Sequence, residues 1–511
     1  MSATAFAWLL LGLYAAVTIW LALRGARRTR TIESFAVGSR ALPPSLVGLS
    51  LAAQLTSVAT FVVNPGLVYA YGTPGLLGLA GAASLGIISG LIVLSKAFRA
   101  AGQREQALTI PGWLGARYKS KGLQVGFAAL SLLLITFVVM ILVAMAYVLV
   151  KLLGIPGWAA LAGVILFVFP YVLLGGVNTS VYTNSVQALI MVGVAVALIA
   201  SGYAHFSGGL SAMLERLSAI DARLVGLVNE SSPYFRTLLE VYACNFIVGF
   251  ALVCQPHVLT KSLYLRDEKQ VNRYLGTAIL VGLVFAGVML VGLYSRFVLP
   301  AGTRIDLVVP TYIQTQFSPL VRVIIGVGVL CAGLSTLEGL LLALSATLAA
   351  DLFRPMLRRK AERAGAAVDE EAVGRQSLRY ARVAIAASAV VSFVLALGQM
   401  RNPSGGSVAI FAQYGIYCVF SASFAPMLFG LFVRDVPRAL AVASAITALV
   451  VYLGMSLAKI SSYANNPAVL SACAILASLA VIGVGVAVVR LRARLGAAHR
   501  AGARRVEGVN V

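Results

Sequence analysis

Residues 42–66 read LPPSLVGLSLAAQLTSVATFVVNPG, an apolar stretch with amide and hydroxyl side chains at its centre. If the stretch is continued to residue 71, its length exceeds the roughly 20 residues that a helix needs to cross the hydrocarbon layer. Pro65 removes a helix hydrogen bond just after the polar group. We expect a membrane helix that is broken near the middle of the bilayer, where the break frees backbone carbonyls to bind a cation. A proline-kinked helix with a structural role is the alternative.

The whole chain has the composition of a polytopic membrane protein. Of its 511 residues, 60% are hydrophobic and 11% are charged, against about one-half and one-quarter in soluble globular proteins. Its 49 glycines and 17 prolines indicate closely packed and interrupted helices. The five cysteines have no paired spacing, so neither a disulfide framework nor a zinc site is indicated.

Thirteen apolar stretches are long enough to cross a membrane as helices. We therefore predict an all-α protein with thirteen transmembrane helices, named spans one to thirteen in chain order. They lie near residues 4–23, 43–71, 74–98, 122–150, 157–176, 184–203, 237–256, 275–299, 319–350, 381–399, 405–432, 439–458 and 467–489.

The basic residues predict the orientation of these spans. If the residues after span one are cytoplasmic, 31 of the 40 Lys and Arg residues fall in cytoplasmic segments, namely 24–40, 96–121, 261–273, 354–382, 434–438 and 490–505. Cytoplasmic loops of membrane proteins carry such an excess. We expect an N-terminus outside and a C-terminus inside the plasma membrane of a bacterium. The net charge of +23 then needs no nucleic-acid partner, although it attracts anionic membrane lipid.

Span nine carries Glu338, the one acidic residue deep within a predicted span. An ionisable group there costs at least about 2.5–3.5 kcal/mol and is a candidate functional residue. Ala332, Ser335, Thr336 and Gly339 fall on one helical face nearby. The two hydroxyl oxygens are suitable ligands for a small hard cation. Close packing against another helix is the alternative role of this face.

Span seven is a second interrupted helix, five spans after the first. It contains Asn245 and Gly249 and ends in Gln255-Pro256-His257. Two interrupted helices in corresponding positions indicate inverted repeats with a binding site between them. We expect a first five-helix repeat with its outer loop at residues 41–235 and a second repeat at 236–435. Residues 1–40 hold a peripheral helix, and 436–511 hold two more with a basic cytoplasmic tail.

Several motifs together resemble the sodium/solute symporter family. They comprise Glu33–Arg40, Leu42-Pro43, Val47–Leu51, Pro170–Gly176, Leu334–Leu337 and Asp351–Pro355, and the resemblance runs from about residue 8 to 490. Gln255-Pro-His257 with Lys261 and Asp267, and Asp306–Pro310, are most similar to the pantothenate and monocarboxylate branch. The resemblance implies an inverted five-plus-five helix bundle of the LeuT type with flanking helices.

The family's shared sodium site, carried over by motif position, implies five ligand residues here. Ala53 and Thr56 would supply backbone carbonyls from the break in span two. Span nine would supply the Ala332 carbonyl and the Ser335 and Thr336 hydroxyls.

The resemblance also implies a function and a solute site. The function is sodium-coupled import of a small organic solute, a monocarboxylate, pantothenate or a similar compound, by alternating access. By family position, the solute would contact Gln54, Leu55, Thr60, Asn64, Asn245, Gly249 and Phe250. The chain lacks the intramembrane histidines of a haem or copper oxidase and the motifs of hydrolases and ATPases, so we do not expect an enzyme.

One departure from the family concerns a carboxylate. Many members carry Thr-Asp at the start of span six, whereas this chain has Thr183-Asn184, and Glu338 stands where they have small hydroxyl residues. Three hypotheses follow: Glu338 faces Asn184 in a second cation site, Glu338 exchanges a proton during transport, or Glu338 only forms hydrogen bonds within the bundle. The alternative functions are a proton-coupled or mixed-ion symporter and a solute sensor that does not transport. The sequence does not indicate an oligomeric state.

Overall fold

Helices build the described part of the chain, which contains no strand. The computed structural model describes every residue except 1, 28, 30, 366, 402–407, 460–462 and 508–511, and it gives the backbone alone for 408–411 and 496–507. The predicted start of span eleven at residue 405 therefore lies outside the described residues. Two of the basic residues counted after span one, Arg28 and Arg30, lie outside them as well.

Ten helices within this part of the chain are long and apolar enough to cross a membrane, and two bent helix pairs bring the number to twelve. The continuous helices are Ala3–Ala26, Thr73–Arg104, Lys121–Leu153, Gly157–Ala200, Lys269–Ser295, Pro319–Arg363, Glu370–Arg401, Ala412–Phe432, Arg438–Ala458 and Pro467–Leu495. The bent pairs are Pro44–Leu55 with Ala59–Tyr71 and Leu239–Leu252 with Pro256–Tyr264. Shorter helices connect them, including Ile110–Arg117, Gly209–Ile220 and Val308–Gln316.

The 44-residue helix Gly157–Ala200 contains both span five and span six. Straight, it would be about 66 Å long, roughly twice the hydrocarbon thickness. Its main chain leaves the helical conformation at Gly176, with φ 61° and ψ −161°. The all-α prediction is confirmed. The number thirteen stays a prediction, because it requires the two halves of this helix to cross separately.

Span two is broken, as expected, and the break lies at the residues that the family resemblance implied. Its first half ends at Leu55, Thr56 has φ −98° and ψ 84°, and the second half begins at Ala59 with a bend of 56°. The break does not lie at Pro65. Pro65 lies in the first turn of the helix Asn64–Tyr71, where a missing N–H is tolerated.

Span seven continues beyond its predicted end at residue 256. A bend of 59° separates Leu239–Leu252 from Pro256–Tyr264. Lys261, which we counted among the loop cations, lies in this second half and is only 2% exposed. Its ammonium group donates a hydrogen bond of 2.6 Å to Ser50 Oγ on span two. Lys261 therefore belongs to the core and not to a cytoplasmic loop.

Spans three and seven cross with their backbones in close contact. A Cβ atom on Gly86 would lie 2.2 Å from the carbonyl oxygen of Phe246, and one on Gly249 would lie 2.2 Å from that of Ala83. Any larger side chain at either position would push the helices apart. The glycines thus fix the distance between span seven and its neighbour.

Gly86→Ala is expected to lower the free energy of unfolding by about 1–3 kcal/mol, because overpacking forces the backbone to move. Thermal unfolding of the purified protein in detergent measures this change. Gly81→Ala is the matched control on the same span, since a Cβ there meets nothing within 4 Å. Equal unfolding temperatures for the two variants would contradict the close crossing.

Span nine lies at the centre of the bundle, packed against spans two, four, five and six. Nearly all of its side chains from Ile325 to Thr347 are buried. Beyond its C-terminal part Asp351, 1% exposed, accepts hydrogen bonds from Thr109 Oγ1 at 2.6 Å and Gln124 Nε2 at 2.9 Å. These bonds attach span nine to the segment around the connecting helix Ile110–Arg117.

Candidate ion and solute site

The break in span two faces the hydroxyl face of span nine. Ser335 Oγ lies 2.9 Å from the Ala53 carbonyl oxygen and 3.1 Å from that of Ala332. Thr336 Oγ1 lies 3.2 Å from the Gln54 carbonyl oxygen and 3.2 Å from that of Ala332. Both hydroxyl residues are fully buried. Five oxygen atoms from two distant parts of the chain therefore meet in one small, buried region.

This set of oxygens suits a small hard cation. Carbonyl and hydroxyl oxygens are neutral ligands of the type that hard cations accept, and rotation of the two hydroxyl groups would turn their lone pairs towards an ion. Four of the five predicted ligand residues lie in the cluster. At Thr56, the fifth, the main chain leaves the helix. The second span-two carbonyl beside the hydroxyls belongs to Gln54, which we predicted only as a solute contact.

A cavity of about 230 Å³ adjoins this cluster, between spans two, three, four, seven, eight and eleven. Its volume is below the about 300–1,000 Å³ typical of sites for drug-sized ligands. Its wall includes six of the seven predicted solute contacts, namely Gln54, Leu55, Thr60, Asn64, Asn245 and Gly249. Thr56, directly after the first half of span two, lines it as well. The same broken segment thus contributes to the oxygen cluster and to the cavity wall.

Phe250, the seventh predicted solute contact, is not among the residues that line the cavity. Its ring packs against Phe246 and Phe424, with ring centroids 6.4 and 5.7 Å apart. On a helix, neighbouring positions such as 249 and 250 point about 100° apart. Gly249 therefore borders the cavity while Phe250 points towards other helices.

Glu338 is fully buried beside the oxygen cluster and accepts hydrogen bonds from three side chains. Tyr171 Oη donates to Oε1, Gln187 Nε2 donates to the same oxygen at 2.8 Å, and Thr183 Oγ1 donates to Oε2 at 2.7 Å. Sequence reasoning singled out Glu338 but did not find these partners. Their only sequence signal is that they are polar: Tyr171 lies within span five, Thr183 directly before span six and Gln187 within span six, where Asn184 and Ser185 are polar as well.

Asn184 belongs to a neighbouring network, so the expected pairing of its side chain with Glu338 is not found. Its Nδ2 donates to Ser180 Oγ at 3.0 Å and to Ser50 Oγ at 3.2 Å. Ser50 also accepts the bond from Lys261. Asn184 and Thr183 are adjacent on one helix and therefore point in different directions, which separates the two networks.

Comparison with known proteins decides the family. The profile of the sodium:solute symporter family matches residues 35–448. The chain belongs to the sodium:solute symporter family. It is therefore an integral membrane protein and a transporter, and not an enzyme, and the family implies sodium and a small-molecule solute as its transported partners.

Three relatives show the range of solutes among similar symporters. The sodium/pantothenate symporter of Escherichia coli is 30% identical over 352 residues, which cover 66% of this chain and 71% of that protein. The high-affinity proline transporter PutP of Bacillus subtilis is 25% identical, covering 79% and 82%. The monocarboxylic acid transporter of Corynebacterium glutamicum is 22% identical, covering 85% and 80%.

A solved structure confirms the LeuT-like fold of the symporter. The sodium-coupled sialic acid symporter, in a substrate-bound outward-open state, superposes with a TM-score of 0.74 at 17% sequence identity. The match covers 94% of this chain and 98% of that one. The prediction of an inverted-repeat bundle with broken helices is thereby confirmed.

Proposed function

We propose that this symporter imports a small organic solute, a monocarboxylate, pantothenate or a similar compound, together with sodium. Sodium binds the carbonyls of Ala53, Thr56 and Ala332 and the hydroxyls of Ser335 and Thr336. The observation that carries the proposal is the meeting of the span-nine hydroxyls with the span-two carbonyls beside the cavity. The solute occupies that cavity.

Coupling between ion and solute follows from the shared broken segment. Sodium joins span two to span nine and fixes the conformation of the residues that border the cavity. If the solute prefers the same conformation, each ligand raises the affinity of the other by the same factor. The inward sodium gradient then drives accumulation of the solute by alternating access.

Uptake by proteoliposomes tests this function. Labelled lactate, pantothenate, proline and glucose are offered with an inward sodium gradient and with potassium in its place. We expect sodium to stimulate the uptake of lactate or pantothenate, and dissipation of the gradient by an ionophore to abolish accumulation. Solute binding without flux, or uptake indifferent to sodium, would contradict the proposal and favour a sensor or another coupling ion.

A mixed-ion symporter is the second candidate, and Glu338 favours it. Gln187, one of its three donors, has a buried Oε1 without a hydrogen-bond partner among the described residues. Lys261 on span seven is a buried basic residue in the neighbouring network of Ser50 and Asn184. A carboxylate in this setting is suited to exchange a proton or to help bind a second cation.

The two repeats and the orientation remain part of the proposal. We assign residues 41–235 and 236–435 to the repeats, with 1–40 and 436–511 outside them, the N-terminus outside and the C-terminus in the cytoplasm of a bacterium. The excess of basic residues in the alternate segments supports this orientation. Labelling of a cysteine introduced by Ser2→Cys with an impermeant maleimide in whole cells tests it, and protection from the reagent would contradict it.

A further inference from the structure

The two broken helices are joined by a hydrogen bond inside the bundle. Lys261 lies in the second half of span seven, Pro256–Tyr264, and its ammonium group donates to Ser50 Oγ at 2.6 Å. Ser50 lies in the first half of span two, Pro44–Leu55. Lys261 is 2% exposed and Ser50 is fully buried. This contact therefore links a half-helix of one broken span directly to a half-helix of the other.

Each end of this bond lies about one helical turn from one of the two proposed sites. Ser50 precedes Gln54 by four residues, and the Gln54 carbonyl oxygen lies 3.2 Å from Thr336 Oγ1 in the oxygen cluster. Lys261 follows His257 by four residues, and His257 is among the residues that line the cavity. The bond is therefore placed to pass a movement of the ion-site segment to the segment that borders the cavity.

Lys261 is an expensive residue to bury at this position. It forms no ion pair with an Asp or Glu of the described residues, and burial of an ammonium group without a paired acid costs free energy. Ser50 Oγ also accepts a hydrogen bond from Asn184 Nδ2 at 3.2 Å, so the loss of Lys261 would not leave Ser50 without a partner. A methionine of similar length would therefore fold at least as stably. It would lack only the bond between the two half-helices.

We infer that Lys261 is a positioning residue that transmits sodium binding at span two to the break in span seven through Ser50. This inference rests on the proposed function, because it needs sodium in the oxygen cluster. Sodium fixes the first half of span two against span nine, and the bond then holds the second half of span seven, so the break at residues 253–255 opens less often. Without the bond the two half-helices move independently, and ion and solute lose part of their mutual effect.

Reaction of Cys254 with N-ethylmaleimide measures opening of this break. Cys254 lies between the halves of span seven and is 1% exposed, so it reacts when the break opens. The full-length protein in nanodiscs is labelled in sodium chloride and in potassium chloride, and tandem mass spectrometry of its peptides gives the reaction rate at Cys254. We expect sodium to slow the reaction of the wild type by at least about fivefold, the lower end of usual coupling factors. The measurement needs no solute.

Lys261→Met tests the contribution of the bond. We expect the effect of sodium on the Cys254 reaction to fall to less than about twofold, while the unfolding temperature in potassium stays at the wild-type value or rises. Ser50→Ala removes the acceptor and is expected to cause the same loss. The combined variant should show no further loss, because both substitutions break one interaction.

Arg99→Met is the matched control. Arg99 is another buried basic residue, 5% exposed, and its guanidinium group donates to the carbonyl oxygens of Leu265 and Arg266 at 3.2 and 2.5 Å. These partners directly follow the second half of span seven and do not belong to span two. We therefore expect the effect of sodium on Cys254 to stay at the wild-type value in this variant.

A sodium effect that survives Lys261→Met would overturn the inference, and so would an equal loss of the effect in Arg99→Met. If Lys261→Met does not fold, Ser50→Ala gives the same test. Sodium that raises the unfolding temperature of the wild type without slowing the Cys254 reaction would overturn the transmission while leaving the ion site intact. Failure of the proposed function looks different: sodium then changes neither the unfolding temperature nor the Cys254 reaction of the wild type.

Discussion

Removing both hydroxyls of span nine, as Ser335→Ala with Thr336→Val, is expected to raise the sodium concentration for half-maximal uptake by at least about tenfold. This change corresponds to about 1.4 kcal/mol. Each hydroxyl lies within 3.2 Å of a span-two carbonyl and of the Ala332 carbonyl. The double variant removes two of five oxygens while keeping nearly the same volume. Initial rates of uptake at increasing sodium concentration measure the effect.

Ser345→Ala is the matched control for this prediction. Ser345 is a fully buried serine on the same helix, and its Oγ has no hydrogen-bond partner among the described residues. It lies about 15 Å along the helix from Ser335, at 1.5 Å per residue. We expect its sodium activation curve to match the wild type. Unchanged sodium activation in the double variant would reject the proposed ion site.

Glu338→Ala is expected to reduce the free energy of unfolding by about 1–3 kcal/mol. The substitution leaves the Tyr171 hydroxyl buried without an acceptor among the described residues, and such a group costs about 1–3 kcal/mol. Thr183 Oγ1 keeps the carbonyl oxygens of Thr179 and Ser180, and Gln187 Nε2 keeps Tyr14 Oη. Glu338→Gln keeps an acceptor oxygen and is expected to fold. Thermal unfolding in detergent compares the two variants, and equal unfolding temperatures would contradict a structural role of the carboxylate.

Transport by Glu338→Gln separates the hypotheses about ion coupling. Three hydrogen bonds already occupy three of roughly four lone-pair sites of the Glu338 carboxylate, which leaves little capacity to bind a second sodium ion. We therefore expect the Hill coefficient for sodium in Glu338→Gln to stay at the wild-type value. A lower coefficient would show a second sodium ion. Loss of the pH dependence of uptake would show proton exchange, and an unchanged pH profile would leave Glu338 a hydrogen-bonding role. Asp351→Asn is the control, a buried acid near the C-terminal end of span nine.

The sequence predicted the helical fold and the elements of the ion site because both depend on local patterns. Long apolar stretches require helices, and the small and hydroxyl residues around Ser335 follow helical spacing. The position of the break in span two came from the family resemblance, at Ala53 and Thr56, and not from Pro65, because a proline in the first turn of a helix is tolerated. Thr56, which leaves the helix, has no distinctive local signal.

The misassigned residues depend on tertiary contacts. Lys261 resembles a loop cation in the sequence, and only the position of Ser50 shows why it is tolerated in the core. Tyr171 and Gln187 reach Glu338 across helix interfaces, which no spacing in the sequence encodes. Gln255 and His257 were noted as a subfamily motif, whereas their unpaired atoms became visible only in the folded chain.

The glycine crossing of spans three and seven restricts how the symporter changes shape. Because backbone meets backbone at Gly86 and Gly249, sliding of one helix past the other would bring main-chain atoms into collision, and we expect the two helices to move together. A change of shape would then come from rotation about main-chain torsions at the two helix breaks, residues 56–58 of span two and 253–255 of span seven. The first break follows the Ala53 and Gln54 carbonyls of the proposed ion site, and the second adjoins the cavity wall. We therefore expect binding at either site to change the bend angles and, through them, the affinity of the other site.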